Sequence, residues 1–146
     1  MSRIYIPISL PQYFSIFKHA QEIHAQLAEP IPELMADNIP KIETALNQPF
    51  QVFGGEQLYK GFCKKAAILF YLIIDNHVMI NGNKRMACLS LSFFCVLNKY
   101  YLDMPEKNLR NLAKQVASPH QHEEMLLFVE KNIRRYIKPF KFRGYR

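Results

Sequence analysis

Apolar residues along this chain recur mainly at helical spacing, and prolines and glycines divide them into six segments. The first predicted helix runs from about Pro11 to Leu27, with Ser9 at its N-cap and Phe14, Phe17, Ile23 and Leu27 as apolar positions. Pro30 and Pro32 end it. Pro40 opens a short helix to about Leu46, capped near Asn38 or Ile39. Residues 47–55 cannot be helical throughout, given Pro49 and Gly54-Gly55, and Phe50, Val52 and Phe53 suit a short strand or flap. Four more helices are predicted at about Glu56–Ile74, Asn83–Tyr100, Pro105–Val116 and His120–Ile137. The pattern is that of an all-α bundle with a short β flap, without internal repeats.

Two of these helices set the architecture. Ala66–Ile74 and Met86–Leu97 are apolar on every side, so both are expected at the centre of the bundle. The turn His77–Asn81 then joins two rigid core helices, a firm mount for a group of reacting side chains.

At 146 residues the chain is expected to form one domain, and 49% hydrophobic with 13% aromatic residues argues against disorder. Neither apolar helix reaches the roughly 18 residues of a membrane span. Pro7 and Pro11 interrupt the apolar run at the N-terminus, so no signal peptide is expected there. Cys63, Cys88 and Cys95 lie inside apolar helices without zinc spacing. Cys88 and Cys95 would sit about 10 Å apart on one helix, beyond disulfide reach. They read as reduced cysteines of a cytoplasmic protein. The net charge of +7 is local: residues 131–146 hold Lys131, Arg134, Arg135, Lys138, Lys141, Arg143 and Arg146 and no carboxylate. Elsewhere the charges balance.

The chemistry concentrates in His77-Val-Met-Ile-Asn-Gly-Asn-Lys-Arg85. Lys84 and Arg85 fall in the first turn of a helix, where the dipole already places about half a positive charge and each cation costs a few tenths of a kcal/mol. A bound polyanion reverses the sign, because helix-start N–H groups, dipole and cations would all face phosphate. An imidazole just upstream is placed to take a proton from whatever attacks that phosphate.

With its flanks, this stretch resembles the Fic/Doc family, whose pattern is His-x-Phe-x-(Asp/Glu)-(Gly/Ala)-Asn-(Gly/Lys)-Arg. Ala45-Leu46-Asn47-Gln48-Pro49, Phe53-Gly54-Gly55-Glu56-Gln57-Leu58-Tyr59, Lys65-Ala66-Ala67 and Leu97-Asn98-Lys99-Tyr100 are similar to the family as well, so the resemblance covers roughly residues 38–116. It implies a helical bundle around a buried motif helix. It also implies His77 as general base and Gly82 and Asn83 as an anion hole, with Lys84 and Arg85 holding phosphate oxygens of a nucleoside triphosphate such as ATP. Members that transfer AMP usually have Gly where Lys84 stands and a further Arg where Cys88 stands. Doc-type members carry the Lys. The resemblance therefore implies transfer of a phosphoryl group to a Ser, Thr or Tyr hydroxyl of a protein target, as in a toxin paired with an acidic antitoxin. AMP transfer, and a degenerate domain that binds nucleotide or a partner without turnover, are the alternatives.

The chain departs from the pattern at three positions. Val78 replaces a common Pro. Met79 replaces the anchoring Phe and locks less firmly. Asn81 replaces the acidic ligand of Mg²⁺, offering a carbonyl oxygen without the charge that holds a hard cation. Asp75 is either a substitute ligand or the end of its helix. Gln51, Val52 and Phe53 form a flap that either accepts a target segment by strand addition or packs as an ordinary loop. Tyr59, His19, His24, His120 and His122 have no evident partners. The basic tail, interleaved with Tyr136, Phe140, Phe142 and Tyr145, suits nucleic acid, an acidic protein or plain solvent. Sixteen residues are few for a nucleic-acid module, so nucleic acid is not the expected partner.

Overall fold

A computed structural model describes residues 3–23, 31–78 and 82–140. The helices are α1 (Leu10–Ile23), α2 (Asn38–Asn47), α3 (Phe62–Asp75), α4 (Asn83–Leu97), α5 (Glu106–Ala117) and α6 (His122–Tyr136). Two small antiparallel ribbons accompany them, β1 (Val52–Phe53) with β2 (Glu56–Gln57) and β3 (Tyr100–Leu102) with β4 (Ile137–Pro139). The fold is the expected all-α bundle.

Ser9 caps α1 as the sequence predicts. Its Oγ accepts from Gln12 N at 3.2 Å while Gln12 Oε1 accepts from Ser9 N at 2.8 Å, so two N–H groups near the helix start are satisfied reciprocally. The end of the predicted helix, residues 24–27, lies outside the described residues.

Three predicted boundaries move, two of them for a backbone reason. The helix expected from Glu56 begins at Phe62 instead. Gly54 and Gly55 take φ of +59° and +81°, the two positive values that a tight hairpin needs. Glu56 and Gln57 are thereby turned back to pair with Phe53 and Val52. The helix expected to reach Tyr100 ends at Leu97. Lys99 takes φ +67°, and Tyr100 enters a ribbon with Pro139 that the helical periodicity does not predict. The last helix starts at His122 rather than His120.

The core is centred on α3, where Phe62, Lys65, every residue from Ala66 to Tyr71, and Ile73 and Ile74 are buried. α4 packs against it but is not enclosed on every side: Ser92 is exposed and Val96 is 57% exposed. Its inner face, Met86, Ala87, Ser90, Leu91, Phe94 and Cys95, carries the burial.

Lys65 is the one buried cation among the described residues, 3% exposed. Its ammonium donates to Gln57 Oε1 at 2.6 Å and to the Tyr59 carbonyl, and it faces the Phe50 ring. These partners let a charge sit in the core, and they root the β1–β2 hairpin at the start of α3. Burial lowers the Lys65 pKa.

The basic C-terminal stretch is built into the fold as far as Phe140. Arg134 pairs with Glu130 at 2.8 Å, Lys138 with Asp103 at 2.7 Å, and Phe140 N donates to the Lys99 carbonyl at 2.8 Å. Lys141, Phe142, Arg143, Tyr145 and Arg146 lie outside the described residues. No helix among the described residues is long and apolar enough to cross a membrane.

Candidate functional site

His77 leaves the C-terminal end of α3. The helix closes with Asn76 N donating to Leu72 O at 3.1 Å and His77 N donating to Ile74 O at 3.2 Å. His77 itself takes φ +46°, a left-handed conformation that few residues other than glycine adopt, although asparagine, aspartate and histidine do so more often than the rest. Its imidazole is exposed, whereas Val78 beside it is completely buried. The position that replaces a proline thus pins the turn into the core and leaves the histidine facing outward. Met79, Ile80 and Asn81 lie outside the described residues, and with them the expected metal ligand.

Gly82 then opens α4 in the left-handed region, φ +89° and ψ +6°. It is buried, and a Cβ added there would meet Ile31 Cγ1 at 3.0 Å. Asn83, Lys84 and Arg85 form the first helical turn, without a carboxylate. Asn83 and Arg85 are half-buried and Lys84 is exposed. The sequence-predicted arrangement of two cations on a helix start is therefore present.

These residues face two concavities. One, of about 480 Å³, lies between α4 and α5. Lys84 and Arg85 stand at one end, Cys88, Leu89, Leu109 and Ala113 form an apolar floor, and Arg110 and Lys114 line the α5 wall. Its one carboxylate, Glu106, already pairs with Arg110 at 3.7 Å. The Cys88 thiol is pushed up to about 12, chiefly by burial, with Arg110 pulling the other way. It stays protonated and is not a nucleophile.

The second cavity, of about 440 Å³, is lined by His77, Tyr71, Asp75, His120 and His122 together with residues 116–119. The two are neighbours along α5, because Ala113 and Lys114 line the first while Val116 and Ala117 line the second. Three residues of helix rise only about 4.5 Å. The cavity of His77 and that of Lys84 and Arg85 therefore border adjacent stretches of α5.

His120 and His122, which lacked partners in the sequence reading, converge on one atom. Tyr71 Oη lies 2.7 Å from His120 Nε2 and 2.9 Å from His122 Nδ1. His120 Nδ1 is 2.7 Å from the Ser118 carbonyl, and its Nε2 is 3.6 Å from Asp75 Oδ1. The Tyr71 phenol is pushed up to about 12, first by burial and then by the Asp75 carboxylate. Only the His-x-His spacing of 120–122 hinted at this cluster. Of the other residues without evident partners, Tyr59 offers its carbonyl to Lys65, and His24 lies outside the described residues.

The expected flap forms as the β1–β2 hairpin. Gln51, Val52 and Phe53 belong to the hairpin rooted at the start of α3, whereas His77 follows its end. The 14 residues of α3 span about 21 Å. The structure does not bring these three residues to His77. Phe53, 78% exposed, and Val52 nonetheless present an apolar edge to solvent.

The magnesium ion expected from the resemblance needs several hard oxygen donors. Among the described residues, no group of three or more His, Cys, Asp or Glu side chains is placed to hold a metal ion. Asp75, weighed as a substitute ligand, is engaged with His120 and Tyr71. The described residues do not fit a metal by themselves.

Searches of curated proteins and of solved structures each found no match. The family model of the Fic/DOC family matches residues 13–95. The match starts well before residue 38, where the sequence resemblance begins, so α1 and α2 are part of the family core. It also takes in the His77 turn and most of α4. Helical bundle, ordered motif and matched span agree, and the chain belongs to the Fic/DOC family.

Proposed function

We propose that the protein is a Doc-type phosphotransferase, moving the terminal phosphoryl group of a nucleoside triphosphate, such as ATP, to a Ser, Thr or Tyr hydroxyl of a protein target. The observation that carries this reading is the pairing of Lys84 with Cys88 on the groove face of α4. Lys84 supplies a cation at the helix start. Cys88, where AMP-transferring members usually have a second Arg, belongs to the apolar floor, its thiol directed at the Leu109 carbonyl at 3.9 Å. The groove is charged at the phosphate end and apolar one turn along, which favours a phosphate arrangement unlike that of an arginine pair.

In this reading Lys84 and Arg85 hold the phosphate oxygens, Arg85 able to bind two at once, while Gly82 and Asn83 shape the anion hole. The target hydroxyl oxygen bonds to the γ-phosphorus as the bond from that phosphorus to the bridging oxygen breaks. The nucleoside diphosphate leaves with the electron pair, and the hydroxyl proton passes to the His77 imidazole. The step is mainly positioning and charge neutralisation. An acidic protein partner, the expected antitoxin, finds four cations on this groove, Lys84, Arg85, Arg110 and Lys114.

A degenerate domain that binds nucleotide or a partner without turnover is the second reading, favoured by the missing carboxylate at Asn81. Incubation with a protein extract, magnesium and nucleotide labelled on either the α or the γ phosphate separates the readings. Protein label from γ alone supports phosphoryl transfer, label from α supports AMP transfer, and none supports the degenerate domain.

A further inference from the structure

The cluster around Tyr71 is not used by the chemistry above, yet it opens on the cavity that His77 lines. It joins three parts of the fold: the last turns of α3 through Tyr71 and Asp75, the segment before α6 through Ser118 and His120, and the first residue of α6 through His122. Both imidazoles also meet the Tyr71 ring edge to face, at centroid distances of 5.4 and 4.7 Å.

With both histidines neutral and the Tyr71 proton directed at His120 rather than Asp75, the hydrogen bonds of this cluster take one direction. A carbonyl only accepts, so His120 Nδ1 carries the proton shared with Ser118 O. With His120 neutral, its Nε2 must accept from the Tyr71 hydroxyl. That hydroxyl has one proton, so His122 Nδ1 must donate to Tyr71 Oη. The chain runs His122 to Tyr71 to His120 to Ser118, and both histidines hold their proton on Nδ1.

We propose that Tyr71, His120 and His122 are positioning residues for His77, their ordered hydrogen-bond chain fixing the turn from which the imidazole projects. Tyr71 precedes Asp75 by one helical turn, and Asp75 precedes His77 by two residues. The His77 backbone sits at φ +46°, a sparsely populated conformation that contacts on both sides of the turn help to hold. Buried Val78 secures the far side of the turn. The Tyr71 hydroxyl secures the near side, because it ties the end of α3 to the segment entering α6.

The inference rests on His77 as the base, but its test does not need turnover. Tyr71→Phe removes only the hydroxyl. Nitrogen-edited NMR at neutral pH should show His120 and His122 of the unaltered protein as Nδ1–H tautomers. In Tyr71→Phe the His77 ring resonances should move and broaden while nucleotide affinity stays within about twofold. Where transfer is measurable, kcat should fall roughly tenfold to a hundredfold with KM for nucleotide unchanged, the cost of a misplaced catalytic group. His122→Asn, on the exposed start of α6, is the second variant should Tyr71→Phe unfold, and it should move the His77 resonances in the same sense. Unmoved His77 resonances in a folded variant overturn the proposal, as do Nε2–H tautomers on both histidines. Absence of transfer in the unaltered protein, with His77 shifted in the variants, counts against the proposed function and leaves the positioning role standing.

Discussion

The side chain of Ile31 closes over Gly82: a Cβ at position 82 would lie 3.0 Å from Ile31 Cγ1 and 3.2 Å from Cγ2. Ile31 therefore lies against the start of the motif helix. Gly82→Ala combines this collision with a left-handed backbone, which costs a side chain roughly 1–2 kcal/mol. Denaturant titration should show a loss of about that size, together with weakened triphosphate binding. Ile31→Ala in the same background should recover part of the stability. Unchanged stability and affinity in Gly82→Ala would show that the helix start tolerates a different backbone.

Arg85→Ala should weaken triphosphate binding far more than nucleoside binding, through loss of charge-assisted hydrogen bonds worth about 1.5–3 kcal/mol. Lys84→Gly should shift any transfer towards AMP. Calorimetric titration with both ligands checks the first expectation, and equal losses would contradict the phosphate assignment.

Asn81→Asp restores a carboxylate beside the phosphates. With magnesium present it should raise nucleotide affinity or transfer, because a bridging cation offsets the added charge. With magnesium chelated it should lower affinity by repulsion. Identical behaviour under both conditions would mean that position 81 does not face the phosphates.

Stability should fall at alkaline pH. Burial raises the Cys95 thiol to about 12 from an ordinary 9.0, and the Tyr71 phenol to about 12 from 10.0. Both are acids kept neutral by the fold, so their contribution is complete below the unfolded values and is lost as pH rises through the folded ones. Three units at Cys95 correspond to roughly 4 kcal/mol. Unfolding free energies measured at pH about 8 and about 11 should differ by several kcal/mol. Cys95→Ala should lower stability at pH about 8 by leaving a cavity, yet flatten the alkaline slope.

Much of this site was legible in the sequence because it is local. His77, Gly82, Asn83, Lys84 and Arg85 are consecutive or nearly so, and the helix that follows them is marked by its own apolar run. The all-α class followed from the same periodicity. What escaped were relationships between distant segments and changes of backbone sign. Gly54-Gly55 carried the hairpin signal, but the charged Glu56 and Gln57 also suited a helix start. Lys99 gave no sign of φ +67°. Tyr71 read as one more residue on an apolar helix, and only folding brings it to His120 and His122, 49 and 51 residues away. The sequence shows that the flap residues precede α3, but not where α3 sets them relative to His77.

In the proposed reaction His77 activates a hydroxyl for attack on the terminal phosphorus held by Lys84 and Arg85. Mass spectrometry of proteins modified in an extract supplied with ATP and magnesium tests it most directly, comparing the unaltered chain with His77→Ala. A phosphoryl group should appear on a Ser, Thr or Tyr with the unaltered chain. With His77→Ala its rate should fall by about 10²- to 10⁴-fold, while nucleotide affinity changes only a few-fold. An AMP adduct in place of the phosphoryl group, or an unchanged rate in His77→Ala, would contradict it.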